Sequence, residues 1–190
     1  MRTTHAILTI VAVLSISCRR ETREPLAGEV PSSHAERVRR GEYLAMVGGC
    51  NDCHTPGGMY GAADLSRRLS GSELGWQGPW GTSYPSNLTP HMETGIGRYS
   101  EDDIVKTLRT GKRPDGRPLL PPMPWPHYGN MSDADVYALA AYLKSLPPIE
   151  HRAPASLPPG QAGPPSLVFP APPAWDVPRG AGVGGGPPPP

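Results

Sequence analysis

Cys50, Cys53 and His54 form a C-x-x-C-H run, in which Asn51 and Asp52 separate the two cysteines. This spacing is the attachment signature of c-type haem. Two cysteines on one helical turn can each form a thioether to a haem vinyl group, and the adjacent histidine can bind the iron from one side. The run therefore predicts covalent haem attachment at both cysteines, with His54 as the proximal ligand.

Closely spaced cysteines also serve two other chemistries. A C-x-x-C pair can exchange thiols and disulfides, or it can supply half of a zinc site. Neither role requires a histidine directly after the second cysteine, so haem attachment is the favoured interpretation. A haem-free thiol–disulfide or metal-binding module stays open as an alternative.

Met123 is the candidate for the second axial ligand. It lies in the proline-rich segment 120–126, where prolines leave the chain few conformations to lose. A stiff loop suits a weak thioether ligand, because a sulfur on a flexible loop would be displaced by water or lysine. His91, Met92 and His127 are further candidates.

The ligand set decides the class of function. Iron with His and Met ligands is coordinatively saturated, so substrate cannot bind and only an electron moves. Methionine also raises the reduction potential relative to a second histidine. We therefore predict a one-electron carrier and not an enzyme. An open distal position would instead predict a haem enzyme or a sensor of gases or peroxide.

Composition agrees with a small domain built around a prosthetic group. A length of 190 residues predicts one domain with extensions. The 18 basic and 17 acidic residues nearly balance and give no indication of a nucleic-acid partner. The single phenylalanine, Phe169, lies in a proline-rich tail, so a buried haem would supply apolar core area that the domain otherwise lacks.

The N-terminus predicts export. Arg2 precedes an apolar run over residues 6–16, which is too short to span a bilayer, so we interpret residues 1–17 as a signal peptide. The sequence before Cys18 resembles a bacterial lipoprotein processing site, which predicts lipid attachment at Cys18 and a membrane tether. Alternatively, Cys18 is incidental and the signal peptide is cleaved further along. Both interpretations predict a periplasmic location.

Three capping patterns predict the helices that position these residues. The pairs are Ser33 with Glu36, Ser100 with Asp103, and Ser132 with Asp135. The first helix leads directly into the haem motif. Gly41 within it either permits a close crossing with another helix or is a poor helix residue on a solvated face.

Glycine and proline dominate residues 55–99, which predicts long loops around the haem. The aromatic residues there are pocket walls or propionate partners, or else ordinary surface and minor-core residues: Trp76, Trp80, Tyr84 and Tyr99. A proline carbonyl is expected to accept the other ring N–H of His54, with Pro79 as first choice and Pro85 and Pro90 open.

A basic cluster begins within the second predicted helix and continues past its end. It is either a docking patch for an acidic redox partner or an ordinary solvated face, and we favour the solvated face. Its members are Lys106, Arg109, Lys112, Arg113 and Arg117. The predicted organisation is a signal peptide over 1–17, a polar tether over 18–32, the haem domain over 33–149, and a Pro/Gly-rich disordered tail over 150–190.

Taken together, several motifs resemble class I monohaem cytochromes c. They are R-G-E-Y-L-A at 40–45, C-x-x-C-H-T-P at 50–56, N-L-T-P at 87–90, E-T-G-I-G at 93–97, M-P-W at 123–125 and Y-L at 142–143 through L-P-P at 146–148. More narrowly, the chain is similar to cytochrome modules that serve bacterial membrane-associated dehydrogenases of alcohols, sugar acids and aldehydes. The resemblance covers roughly residues 35–149.

This resemblance implies a small all-α fold, with N- and C-terminal helices crossing beside one covalent haem c. It implies thioethers at Cys50 and Cys53, His54 as proximal ligand and Met123 as distal ligand. Electrons would pass from a dehydrogenase or another donor to the respiratory chain. Dehydrogenase-linked members often carry three haem motifs, whereas this chain has one, which leaves the direct partner open.

Overall fold

A computed structural model describes residues 33–161, 163 and 166–168. The predicted signal peptide, the tether with Cys18 and the end of the tail lie outside the described residues. Within the part of the chain that is described, no helix is long and apolar enough to cross a membrane.

Five helices and three short strands form the described chain. The helices are α1 His34–Val47, α2 Cys50–His54, α3 Glu101–Thr110, α4 Trp125–Tyr128 and α5 Asp133–Ser145. The strands are β1 Gly75–Gly78, β2 Gly81–Ser83 and β3 Ser166–Val168, and single 3-10 turns occupy Gly58–Tyr60 and Leu65–Arg67.

Reciprocal side-chain bonds begin two of the helices, as the sequence predicts. The Ser33 hydroxyl accepts from the Glu36 amide, and the Glu36 carboxylate accepts from the Ser33 amide. Ser100 and Asp103 make the same pair of bonds at the start of α3. These bonds satisfy amides that the first turn of a helix leaves without partners.

Only half of the third capping pattern forms. Ser132 accepts from the Asp135 amide at 3.1 Å, but the Asp135 carboxylate does not return to the cap. It accepts instead from Arg40 of α1 at 2.9 Å, in a pair whose side chains are 10% and 16% exposed. A long-range ion pair therefore replaces the predicted local bond and ties α5 to α1.

The two terminal helices of the domain cross at Gly41. A Cβ at this position would overlap the carbonyl oxygen of Ala138 and lie 2.6 Å from the Cβ of Tyr142. Gly41 therefore permits the close approach of α1 and α5. Beside the crossing, α3 and α5 supply much of the buried core, including Ile104, Leu108, Val136, Leu139 and Leu143.

The expectation of a purely all-α fold is wrong because a small sheet is also present. Strands β1 and β2 pair antiparallel, with Gly78 opposite Gly81 and only two residues between them. Gly81 has a φ of +98°, a conformation that glycine adopts without strain. Strand β3 then pairs parallel with β1. The glycines and prolines that indicated loops here form a hairpin turn.

The prediction of a disordered tail from residue 150 is wrong for its first part. Residues 149–157, which we name the C-terminal strap, lie against the domain. At one end, the Asn87 side chain donates to the Ile149 carbonyl at 2.8 Å. At the other end, Leu157 and Thr82 exchange two backbone bonds of 2.8 and 2.9 Å. Pro154, the single proline of this segment, limits the entropy lost on ordering it.

Candidate functional site

A cavity of about 710 Å³ lies between the helices, the long loops and the C-terminal strap. Its volume falls within the range of sites that bind cofactors and other small molecules. Cys50, Cys53 and His54 line it from α2, and Met123 lines it from the loop before α4. Buried apolar side chains complete much of the lining: Ile104, Leu108, Leu139 and Leu143.

The two cysteines are free thiols on the single turn of α2. Gly49 precedes them with a φ of +68°, which turns the chain sharply between α1 and α2. Burial raises the pKa of Cys50 to about 11 and also raises the pKa of Cys53. Redox-active cysteines have lowered pKa values, so these thiols do not match the thiol–disulfide alternative.

His54 is held in one orientation by a backbone carbonyl. Its Nδ1 donates to the Ser86 carbonyl at 2.7 Å, which leaves Nε2 as the nitrogen available to a metal. Burial lowers the pKa of the imidazole against the opposing effect of this bond, and the nearby charge of Arg113 lowers it further. The ring is therefore neutral near pH 7, the form that binds a metal.

The carbonyl that orients His54 belongs to Ser86, so the expectation of a proline carbonyl, with Pro79 as first choice, is wrong. Pro79 lies in the hairpin turn between β1 and β2. The Pro85 carbonyl accepts from the Ser72 amide at 3.1 Å and is already engaged. His54 bonds instead to the carbonyl of the next residue, Ser86.

Among the candidate distal ligands, Met123 lines the cavity that contains His54. It is partly buried against the core, and its amide donates to the Leu120 carbonyl at 3.2 Å in a tight turn. The other three candidates do not line this cavity. Met92 is 57% exposed, and the His91 ring bonds to Thr94.

The four aromatic residues divide between two roles. Trp76, Tyr84 and Tyr99 line the cavity, whereas the Trp80 ring nitrogen donates to the Trp76 carbonyl at 3.2 Å. Tyr128 of α4 also lines the cavity, and sequence reasoning did not single it out. Its hydroxyl donates to the carbonyl of Gly48 at 2.5 Å, and burial raises the pKa of Tyr128 to about 12.

The members of the basic cluster lie in different surroundings. Arg113 and Arg117 line the cavity, and burial lowers the pKa of the Arg113 guanidinium. Lys106 and Lys112 are exposed, as the favoured interpretation of a solvated face predicts. Arg109 donates to the Asp133 carboxylate at 2.8 Å and to a carbonyl that precedes α5.

The described residues contain no group of three or more His, Cys, Asp or Glu side chains placed to hold a metal ion. Residues 152–156 of the C-terminal strap do line the cavity, and sequence reasoning missed them because it interpreted their composition as disorder.

Comparison with known families decides between the remaining interpretations. The cytochrome c family profile matches residues 38–147. The chain belongs to the cytochrome c family. Membership implies covalently bound haem c, and the cavity residues fit that group. They provide two free thiols on one turn, a neutral imidazole with its Nδ1 occupied and an apolar surround.

Relatives of this cytochrome domain occur in bacterial dehydrogenases. It is 39% identical over 127 residues to one subunit of the nicotinate dehydrogenase of Pseudomonas putida, covering 67% of the chain and 10% of that protein. It is 44% identical over 106 residues to the gluconate 2-dehydrogenase cytochrome c subunit of Pantoea cypripedii, covering 55% and 22%. It is also 39% identical over 105 residues to the cytochrome c subunit of the quinone alcohol dehydrogenase of Gluconobacter oxydans, and the match covers 55% of the chain and 20% of that protein.

The matched region therefore spans at most 22% of the length of these three relatives. Two of the three are cytochrome c subunits of dehydrogenases by name. The similarity supports an electron-transfer domain as opposed to a catalytic one.

Proposed function

We propose that this chain carries one haem c and passes single electrons from a dehydrogenase toward the respiratory chain. Cys50 and Cys53 form the two thioethers, His54 is the proximal ligand and Met123 is the distal ligand. The proposal of a single haem rests on the single C-x-x-C-H motif in 190 residues.

The observation that carries this proposal is the 2.7 Å bond between His54 Nδ1 and the Ser86 carbonyl, beside a cavity that Met123 also lines. A histidine that ligates a metal through one nitrogen commonly donates its other N–H to a carbonyl. This bond fixes the tautomer and the orientation of the ring. Nε2 is then the only ring nitrogen left to coordinate iron.

When bound, haem c supplies one-electron chemistry between ferric and ferrous iron. The residues of the chain hold both ligands in place through that change. The Ser86 carbonyl prevents rotation of His54, and the turn from Leu120 to Met123 restrains the sulfur. The buried side chains of α3 and α5 exclude water from the same cavity.

Support for a dehydrogenase partner comes from the names of the relatives. An electron carrier docks transiently, and such interfaces bury less than about 1,200 Å². We further propose that the chain acts in the periplasm, either as a free carrier or as a lipoprotein attached through Cys18. The basis for this location is the predicted signal peptide.

Haem retention and iron-ligand accessibility test the proposal together. Haem should stay with the denatured wild-type chain at one iron per polypeptide, and it should be lost when Cys50→Ala and Cys53→Ala are combined. The reduced native protein should bind carbon monoxide slowly. Rapid carbon monoxide binding and a high-spin ferric spectrum would contradict the electron-carrier proposal and favour a haem enzyme or sensor.

A further inference from the structure

Hydrogen bonds fasten the first part of the C-terminal strap to a loop that precedes it in the sequence. The amides of Ile149 and His151 donate to the hydroxyls of Thr89 and Thr94, at 3.1 and 3.2 Å. The Asn87 side chain donates to the carbonyls of Ile149 and His151, at 2.8 and 3.2 Å. Asn87 is 2% exposed, so these bonds form away from solvent.

The His151 ring adds two further bonds. Its Nδ1 lies 2.7 Å from the Ser70 carbonyl, and its Nε2 lies 2.8 Å from the Glu73 carboxylate. Both partners are hydrogen-bond acceptors. Arg67 also lies 3.7 Å from the Glu73 carboxylate.

Two of the segments that bond to the strap also contact His54. Ser86, whose carbonyl orients the His54 ring, directly precedes Asn87. Gly71, whose amide donates to the His54 carbonyl at 2.8 Å, directly follows Ser70. The strap therefore bonds to residues one position away from each of the two contacts that fix His54.

Between its two fastened ends, the strap passes along the cavity. Residues 152–156 line it, and Leu157 then pairs with Thr82 of β2. Pro154 stiffens the middle of this stretch. The family profile match ends at residue 147, so the strap lies outside the matched region.

We propose that the C-terminal strap is a positioning element of the haem site. It holds the loops that orient His54 and closes one edge of the cavity to water and small ligands. This inference rests on the proposed function, since it assigns the strap a role in the same cavity. His151 and Asn87 would act through the Ser70–Gly71 and Ser86 segments, and neither is a proposed iron ligand.

The test uses the full-length, haem-loaded ferric protein with imidazole as a competing iron ligand. Imidazole enters when the site opens locally, so its apparent affinity rises with the population of the open state. Two variants loosen the strap. His151→Ala removes both ring bonds, and a combined variant replaces the middle stretch with Arg152→Gly, Ala153→Ser, Pro154→Gly, Ala155→Ser and Ser156→Gly.

Two further variants serve as matched controls. His151→Asn keeps an N–H near the position of Nδ1 and should restore part of the effect. His127→Ala removes an exposed histidine that does not line the cavity. The midpoint potential is measured for every protein, because a purely structural role would change the unfolding temperature without moving the potential.

Loosening the strap should raise the apparent imidazole affinity about fivefold or more, as expected from the loss of two hydrogen bonds. It should also lower the midpoint potential as water reaches the cavity. His151→Asn should lie between His151→Ala and wild type, and His127→Ala should match wild type. Wild-type affinity and potential in both loosened variants would overturn the proposal; if the combined variant fails to fold, His151→Ala decides.

The proposed function is tested separately from the strap, by a measurement on the wild-type protein alone. An iron site without a methionine ligand would lack the far-red sulfur-to-iron absorption band in wild type before any variant is compared. A wild-type protein that shows the band, with loosened variants that do not differ from it, would reject the strap and retain the electron carrier.

Discussion

The helical side of the molecule and the loops around the cavity are stabilised in different ways. Helices α1 and α5 begin at serine caps and meet through a glycine and a buried ion pair. The loops depend instead on buried polar side chains that bond to backbone groups far along the chain. Thr55, for example, accepts from the Leu69 amide at 3.0 Å, and Asn87 bonds to carbonyls more than sixty residues away.

This difference shows where the cavity obtains its shape. Short helices pack by apolar contact, whereas loops that wrap a prosthetic group need each buried backbone group paired. Thr55, Thr82, Asn87 and Thr89 are all at most 2% exposed and lie in or beside the loops. Polar core residues of this kind hold the loops even though glycine and proline dominate their composition.

The largest expected effect is at the helix crossing. Gly41→Ala places a Cβ onto the Ala138 carbonyl, so α1 and α5 must move apart. We expect a loss of about 3 kcal/mol or more in the free energy of unfolding of the haem-loaded protein. Chemical denaturation measures it.

Gly61→Ala is the control for that substitution. Gly61 has a φ of +69° and no atom near a new Cβ, so only the backbone preference changes, at about 1 kcal/mol. Equal losses for the two glycine variants would contradict a close crossing at Gly41.

The buried ion pair between the same helices should come next. Asp135→Ala leaves the 10%-exposed Arg40 without this carboxylate, and we expect a loss of about 3 kcal/mol or somewhat less. Asp133→Ala removes an ion pair from the same helix turn, but Asp133 is 88% exposed, and its loss should change stability little. Similar denaturation midpoints for the two variants would argue against the Arg40–Asp135 pair as a tie between helices.

The loops should be sensitive to the loss of one buried amide. Asn87→Ala removes the acceptor of the Thr89 amide and leaves the Ile149 carbonyl with only the 3.4 Å bond from the Thr89 hydroxyl, and we expect a loss of about 2 kcal/mol. Asn130→Ala removes an exposed amide that bonds to the Pro126 carbonyl and should have a smaller effect. If haem alone held the loops, the two asparagine variants would unfold at the same denaturant concentration.

Local features could be predicted from the sequence, and long-range ones could not. The Ser33 and Ser100 caps join residues three apart, and both were predicted. The partner of the His54 ring lies 32 residues away, in a loop whose path no periodic pattern reveals. Asp135 was assigned to its own cap, although the structure pairs it with Arg40, 95 residues away.

The same reasoning explains why the sequence does not predict the ordered C-terminal strap. High proline content indicates disorder when a segment has nothing to bury. Here Ile149, His151 and Leu157 find partners on Thr89, Ser70 and Thr82, and those partners are visible only in three dimensions. For the candidate site, the motif on α2 was enough to identify the haem-attachment residues as candidates, whereas the loops that close the cavity required the structure.

The most direct test of the account is the far-red sulfur-to-iron absorption band of the oxidised protein, compared between wild type, Met123→Ala and Met92→Ala. The band should be present in wild type and in Met92→Ala, and absent in Met123→Ala, which should retain its haem at a lower reduction potential. A band and a potential that survive Met123→Ala unchanged would contradict His54–Met123 ligation and with it the proposed electron carrier as described.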